Sequence, residues 1–188
     1  MKGRLPMISP RSPRAAADAV LPVIGASLIG WLAAYPNLKS WYRGLVKPEF
    51  TPPERLFGPV WAVLYALMAV AAWRILSLPS CTPGRRAALR PFFIQLALNA
   101  AWPGMFFALR SPLAGLVNIG PQELAILATI ARLRRLDRAA AAYLVPLAVW
   151  VAFASLLNFE IWRLNGQDAK PPGPPPAHGR SATRIATG

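Results

Sequence analysis

Five stretches of this chain are nearly free of charge, and each is long enough to cross a lipid bilayer. They are Ala19–Leu38, Leu56–Trp73, Pro91–Leu109, Ser111–Ala131 and Ala139–Phe159. A helix rises about 1.5 Å per residue, so about 20 apolar residues span a hydrocarbon core of roughly 30 Å. Five such stretches in 188 residues leave too little chain to form a soluble shell around them. The pattern therefore predicts an all-α integral membrane protein, a bundle of five transmembrane helices.

The two ends of the chain differ from this apolar middle. Residues 1–14 are basic and contain three prolines, which predicts a flexible arm. Residues 166–188 include the run KPPGPPP and are otherwise small, polar and basic, which predicts a disordered tail. The membrane domain is accordingly placed at residues 15–165.

The net charge of +14 is spread over the ends and the loops between the apolar stretches. This distribution indicates membrane topology and contact with lipid headgroups, and it argues against a nucleic-acid partner. Near the membrane, the side that holds the N-terminus carries twelve Lys and Arg against seven on the other side. The sequence thus predicts a cytoplasmic N-terminus, and its Ala-, Arg- and Pro-rich composition suggests a bacterial cell membrane.

The chain has few residues of the types that form disulfides, bind metals or act in catalysis. Cys81 is the single cysteine and His178, in the tail, the single histidine, so we expect no disulfide within the chain, no metal site and no cofactor. No nucleophile–base pair or pair of carboxylates occurs, and Glu123 is the one acid well inside an apolar stretch. Nothing in this set of residues resembles a conventional catalytic site, and the question of a weaker catalytic activity stays open.

The first loop, Lys39–Arg55, is the longest connection and is rich in aromatic residues. Trp41, Tyr42 and Phe50 lie there among basic residues and prolines. Long loops in compact domains often carry function, whereas Trp and Tyr also form belts at membrane interfaces. The loop is therefore either a lid over a membrane-embedded cleft or part of such a belt.

The third apolar stretch has two different faces at helical spacing. Gln95, Asn99, Trp102 and Phe106 share one face, while Ala97, Ala101, Gly104 and Ala108 lie opposite. The small residues allow close approach of another helix, in a homodimer or within the bundle. The buried amides either tie helices together or meet a ligand.

Aromatic residues also line one face of the second and fifth stretches. Phe57, Trp61 and Tyr65 share a face in the second, and Trp150, Ala154 and Leu157 share one in the fifth. Such stripes are usually core packing. Two indoles on separate helices, together with the aromatic loop, favour a site for a flat, apolar ligand.

Three segments carry a resemblance to a known family. They are WYRGLVKPEFTPPERLFGPVWAVLYALMAVAAW (41–73), QLALNAAWPGMFF (95–107) and PLAVWVAFASLLNFEIWRLN (146–165). In order and spacing they resemble the translocator protein family, also called the tryptophan-rich sensory protein or peripheral benzodiazepine receptor family. The resemblance implies five transmembrane helices and homodimers in several members. It also implies binding of porphyrins, sterols or synthetic drug-like ligands in a cleft under the first loop.

Carried over residue by residue, the resemblance implies a set of ligand-binding side chains on the loop and three helices. The set is Trp41, Phe57, Val60, Trp61, Asn99, Trp102, Trp150, Ala154 and Leu157. Trp61 and Trp150 match two tryptophans implicated in light-dependent porphyrin breakdown by some bacterial members. Trp31 is expected outside the cleft.

Some positions depart from the family pattern. Phe50 stands where tryptophan is usual, Asn118 where some members have an acid, and Leu147 where tyrosine is common. Of the animal sterol-recognition motif, Arg163 remains but Phe159 replaces the tyrosine. This remnant argues against strong recognition of cholesterol.

The leading hypothesis is a membrane receptor or sensor that binds tetrapyrroles, and sterol or drug-like ligands as well, with light-dependent porphyrin degradation as an accompanying activity. The alternative is a transporter of porphyrins or sterols. A third interpretation is a structural partner of other membrane proteins. Only a transporter would move ligand between two reconstituted compartments.

Overall fold

The structure is a computed structural model that describes residues 13–38 and 40–166. These residues form five long helices and no strand. The helices are α1 (Pro13–Leu38), α2 (Glu54–Leu76), α3 (Arg85–Pro103), α4 (Pro112–Leu136) and α5 (Arg138–Asn165). The predicted five-helix membrane bundle is confirmed. The predicted arm overlaps α1 only at Pro13 and Arg14, and the predicted tail lies beyond the described residues except for Gly166.

Four of the five helices, α1, α2, α4 and α5, are long and apolar enough to cross a membrane. Helix α3 differs because three arginines, Arg85, Arg86 and Arg90, occupy its first six residues. Its apolar part continues beyond Pro103 through a π-helical segment, Gly104–Ala108. Together the two segments cover the third apolar stretch that the sequence predicts, except for its last residue, Leu109.

Short polar side chains set the starts of α4 and α5. Ser111 accepts a hydrogen bond from the N–H of Ala114 at 3.1 Å, and Pro112 follows as the first helical residue. Asp137 accepts from the N–H groups of Ala139 and Ala140 at 2.9 and 3.1 Å. These caps satisfy amides that have no partner within the first turn of a helix.

The helices form a closed ring in the order α1, α2, α5, α4, α3. Helix α1 packs against α2 and α3, α2 packs against α5, and α4 packs against both α3 and α5. The ring encloses large apolar side chains without solvent exposure, such as Met68, Ile75, Phe92 and Ile126. Because consecutive helices alternate in direction, the first loop and the C-terminal end of α5 lie at the same end of the bundle.

A close contact joins α4, α5 and the π-helical segment. Gly115 lies where an added Cβ would come within 2.6 Å of the amide end of Asn158 and 2.9 Å of the Phe106 ring. With its amide nitrogen turned towards Pro112, Asn158 donates to that carbonyl at 2.9 Å and accepts from the N–H of Leu116 at 3.2 Å. The missing side chain at Gly115 is what lets α5 approach this closely.

The outer surface of the bundle is apolar. Leu124 on α4, Val149 on α5 and Leu21 on α1 are 69%, 66% and 66% exposed, and many other large hydrophobic side chains are exposed beside them. A soluble monomer rarely exposes apolar surface on this scale. The exposed side chains are therefore the lipid-facing surface of a multi-pass membrane protein.

Candidate functional site

The first loop packs down onto the end of the helical ring. Trp41 and Tyr42 are each 6% exposed, and both rings contact Phe106 edge-on at centroid distances of 5.5 and 6.2 Å. Tyr42 also meets Phe107 at 5.5 Å. Burial and the charge of Glu54 raise the pKa of Tyr42 to about 12, so its hydroxyl stays neutral. These two side chains do not form an interfacial belt, because they cover the interior of the bundle.

Polar contacts hold the loop in this position. Asn165 at the end of α5 accepts from the N–H of Val46 at 3.0 Å and donates to its carbonyl at 2.9 Å. The exposed groups of Arg43 and Glu54 approach to 3.9 Å. The backbone pairing with Asn165 is the more specific of these contacts, since exposed ion pairs contribute little.

Beneath this loop, a cavity of ≈ 570 Å³ lies between α1 and α2. Its size falls within the usual range for small-molecule sites. The lining comes mainly from the facing sides of the two helices, with further residues from the loop and the end of α3. The lining residues are Ser27, Gly30, Trp31, Ala34, Tyr35, Leu38, Tyr42, Arg43, Glu54, Phe57, Gly58, Trp61, Ala62, Tyr65, Pro103 and Phe107.

Each long wall of the cavity carries a pair of aromatic rings. On α1, Trp31 and Tyr35 lie 5.1 Å apart, and on α2, Trp61 and Tyr65 lie 5.5 Å apart. The charged groups of the lining, Arg43 and Glu54, come from the loop and the first turn of α2. The cavity therefore has aromatic walls and a charged rim at one end. This suits a flat apolar molecule that carries a polar edge.

Glycines open the space between the two walls. A Cβ added at Gly58 would meet no atom of the described residues within 4 Å. A Cβ at Gly30 would lie 3.3 Å from Cγ of Pro103 and 4.0 Å from the Tyr65 hydroxyl. The volume between α1 and α2 thus depends on small residues facing the aromatic pairs.

Of the nine ligand-binding residues that the resemblance implies, Phe57 and Trp61 line this cavity. The others lie beside or behind it in the closed bundle. Trp41, Trp102 and Leu157 belong to an aromatic cluster under the loop, and Val60, Asn99, Trp150 and Ala154 belong to the main core and its edge.

The cavity and the aromatic cluster share a wall. Phe57 lines the cavity on one side and meets Trp150 edge-on at 5.9 Å on the other. In the cluster, Trp102 stacks on Phe106 at 4.9 Å. One face of the Trp102 ring is therefore covered by Phe106, and Phe57 separates Trp150 from the open cavity.

Asn99 is connected to the cavity through one hydrogen bond. The Tyr65 hydroxyl donates to Oδ1 of Asn99 at 2.9 Å. The other side of the amide, Nδ2, is buried without a partner among the described residues, as are the indole N–H groups of Trp41 and Trp102. Buried donors are normally satisfied, so these three unpaired N–H groups distinguish this part of the interior from the apolar core around it.

The α1 wall is the part of the site that the sequence prediction missed. Trp31, expected outside the cleft, lines the cavity together with Tyr35. The signal was present as a stripe of Ser27, Gly30, Ala34 and Leu38 at helical spacing, next to an aromatic pair four residues apart. Tyr65 belonged to the aromatic stripe recognised on α2.

The face of small residues on α3 and the π-helical segment is mostly exposed. Ala97, Ala101 and Ala108 are exposed, whereas Gly104 is half-buried and lies next to Ala33 of α1. Gly104 therefore serves packing within the bundle, and the three alanines remain available for another helix.

The remnant of the sterol motif lies on the outer side of α5. Phe159 is 43% exposed, and Arg163 donates two hydrogen bonds to Glu160 at 2.9 and 2.6 Å. Neither residue lines the cavity between α1 and α2.

Comparison with known proteins matches this chain to a family model and to named relatives of the same family. The TspO/MBR family model matches residues 19–163. The tryptophan-rich protein TspO of Archaeoglobus fulgidus is 37% identical over 147 residues, covering 78% of this chain and 94% of that protein. The human translocator protein is 36% identical over 126 residues, covering 66% and 75%.

The tryptophan-rich sensory protein of Cereibacter sphaeroides is 36% identical over 125 residues, covering 66% of this chain and 77% of that protein. The matched region contains the first loop and nearly the whole helical ring, including both walls of the cavity. The five-helix membrane fold, the aromatic cavity under the first loop and these matches together show that the chain belongs to the TspO/MBR family.

Proposed function

We propose that this protein is a membrane receptor or sensor that binds tetrapyrroles in the cavity between α1 and α2. The observation that carries the proposal is the pair of aromatic walls, Trp31 with Tyr35 and Trp61 with Tyr65, on either side of a cavity of ≈ 570 Å³. The family membership supports a membrane protein of the TspO sensor or receptor type.

The chemistry of the walls fits a tetrapyrrole. Its ring is large, planar and polarizable, so it can stack on indole and phenol rings without a metal ligand. Arg43 at the rim can pair with a carboxylate of a porphyrin propionate. Sterols and drug-like molecules share the apolar body and are further ligands of the same cavity.

We propose that the ligand enters from the membrane. Trp31 and Tyr35 are each 55% exposed, and Gly58 and Ala62 are also exposed, although all four line the cavity. The cavity therefore reaches the outer flank of the bundle between α1 and α2, at the depth of the apolar stretches. A ligand dissolved in the bilayer can reach it without passing under the loop.

Titration of the purified protein with protoporphyrin in darkness tests the proposal. We expect quenching of tryptophan fluorescence, because the ring stacks against indoles. Trp61→Ala should weaken binding by about threefold to tenfold, since each aromatic pair contributes roughly 0.5–1.5 kcal/mol beyond its buried area. Trp150→Ala should have a smaller effect, because Phe57 lies between Trp150 and the cavity.

Trp162→Ala is the matched control, since this half-buried tryptophan lies on α5 and does not line the cavity. Equal affinity in wild type and the Trp61 variant, or an equal loss in the Trp162 variant, would contradict the assignment of the cavity.

The same titration under light tests whether the protein also breaks down the porphyrin that it binds. In the proposed breakdown, excited porphyrin takes one electron from a nearby indole or passes its energy to dioxygen, and dioxygen is the final oxidant. Loss of bound porphyrin in light that is slower in a Trp61→Phe variant supports this activity, since free porphyrin also bleaches in light. Transport is the alternative function, supported by the lateral opening between α1 and α2. It requires movement of porphyrin between compartments in reconstituted vesicles.

We further propose that the protein is a homodimer with a cytoplasmic N-terminus. The exposed alanines of α3 allow close approach of a second α3 in the membrane. The bundle end at which α1 begins is the richer in arginine, which favours the cytoplasmic side.

Ala101→Leu should convert dimer to monomer if this face is the seam, because the larger side chain prevents close helix approach. Crosslinking in lipid nanodiscs measures the change. Ala131→Leu, also exposed but on α4, is the control and should leave the dimer intact. A dimer that persists in the Ala101 variant would place the seam on another helix.

A further inference from the structure

One end of the bundle carries a strong positive charge. Helices α1, α3 and α5 begin there, and α2 and α4 end there. Among the described residues this end has nine arginines and two aspartates, and we call it the arginine-rich end. The residues are Arg14, Arg74, Arg85, Arg86, Arg90, Arg132, Arg134, Arg135 and Arg138, with Asp18 and Asp137.

Part of this charge is used within the fold. Arg74 donates two hydrogen bonds to Asp137, at 2.8 and 3.2 Å. Burial raises the pKa of Asp137, but the hydrogen bonds from Arg74 and from the backbone amides outweigh it, so the pKa is lowered and the carboxylate stays charged. Arg85 donates to the carbonyls of Ile75 and Leu76, both at 3.1 Å. Arg74 thus joins the end of α2 to the start of α5, and Arg85 joins the start of α3 to the end of α2.

Arg86 and Arg90 have no such role. They lie one turn apart on α3, both are exposed, and within the described residues neither makes a hydrogen bond or an ion pair. The first turn of α3 contains no acid, and its N-cap residue Gly84 provides no side-chain hydrogen bond. The two guanidinium groups therefore add to the positive end of the helix dipole, an arrangement that an anion would stabilise.

The surface next to these arginines is apolar. Phe93 and Ile94 follow Arg90 at helical spacing on the same side of α3, and they are 39% and 55% exposed. At about 1.5 Å per residue, their backbone lies roughly 5 Å further into the bilayer. The proposed dimer seam, which starts at Ala97, lies deeper still. A pair of cations followed by an exposed apolar strip matches the phosphate and acyl chain of a phospholipid.

We propose that Arg86 and Arg90 bind an anionic phospholipid, whose phosphate accepts hydrogen bonds from the two guanidinium groups and whose acyl chain lies along Phe93 and Ile94. Guanidinium groups suit phosphate because they donate in pairs. The site is separate from the cavity between α1 and α2, so it does not depend on which ligand that cavity takes.

Native mass spectrometry of the purified protein, titrated with phosphatidylglycerol or phosphatidylcholine, tests the site. Wild type should bind phosphatidylglycerol more tightly. Arg86→Gln with Arg90→Gln should weaken phosphatidylglycerol binding roughly thirtyfold, since each of the two basic residues near anionic lipid contributes about 1 kcal/mol. Binding of phosphatidylcholine should change less than about twofold by the same reasoning.

Arg134→Gln with Arg135→Gln is the matched control, because it removes the same charge from the same end on α4. An equal loss in both double variants would overturn the proposal in favour of diffuse attraction. Displacement of the lipid by inorganic phosphate at constant ionic strength would instead indicate a site for soluble anions. An unchanged unfolding midpoint and circular dichroism spectrum show that the variants are folded, and Arg86→Lys with Arg90→Lys should retain most of the lipid preference.

Discussion

Gly115→Ala should destabilise the protein strongly, although it adds a single methyl group. The new Cβ would lie 2.6 Å from the amide end of Asn158 and 2.9 Å from the Phe106 ring, closer than such atoms approach each other. Neither neighbour can move freely. Asn158 is 2% exposed and bonded to the backbone of α4, and Phe106 is 1% exposed between Trp41 and Trp102.

Overpacking of this kind typically destabilises a protein by about 1–3 kcal/mol. A further 1–3 kcal/mol is lost if Asn158 gives up its hydrogen bonds while still buried. The gain in helix propensity from Gly to Ala offsets only about 1 kcal/mol. Thermal unfolding in detergent, followed by tryptophan fluorescence, should therefore show a clearly lower midpoint for the variant.

Gly120→Ala on the same helix is the control. Its Cβ would meet no atom of the described residues within 4 Å, so the midpoint should stay the same or rise. If both variants unfold at the wild-type temperature, the close packing of α4, α5 and the π-helical segment does not contribute measurably to the stability of the bundle.

The helices could be predicted from the sequence because the bilayer imposes a simple rule. A stretch of about 20 residues almost without charge has few alternatives to a spanning helix, and all five predicted stretches lie in helices except for the terminal residues Leu109 and Ser111. The π-helical turn after Pro103 was not predictable in this way. It lies where Phe106 and Phe107 pack under Trp41 and Tyr42, and a periodic pattern does not encode such contacts.

The candidate site was only partly predictable for a related reason. The stripe on α2 correctly placed Phe57 and Trp61 on one face, but a stripe does not show which helix faces it. The ring order puts α1 opposite this face, and α1 therefore contributes Trp31 and Tyr35 to the cavity. Trp150 on α5 also faces α2, and the Phe57 ring lies between Trp150 and the cavity.

A large side chain placed inside the cavity should weaken ligand binding while leaving the fold intact. Gly58→Phe adds a ring on the α2 side, where an added Cβ has no close neighbour among the described residues. Ala34→Phe adds one on the α1 wall. Steric overlap with a rigid planar ligand should cost about 1–3 kcal/mol, which corresponds to roughly a fivefold to hundredfold loss of protoporphyrin affinity.

Gly25→Phe is the matched control for these two variants. Gly25 lies on α1 outside the cavity lining, and its Cβ would likewise meet no atom of the described residues within 4 Å. Equilibrium titration of all three variants, each checked for a wild-type unfolding midpoint, separates the cavity from the general surface of the bundle. Wild-type affinity in both cavity variants would mean that the ligand binds elsewhere, and the aromatic cluster around Trp102 and Trp150 would become the first place to look. A loss in the cavity variants alone fixes the binding site between α1 and α2, because the added rings share only that space.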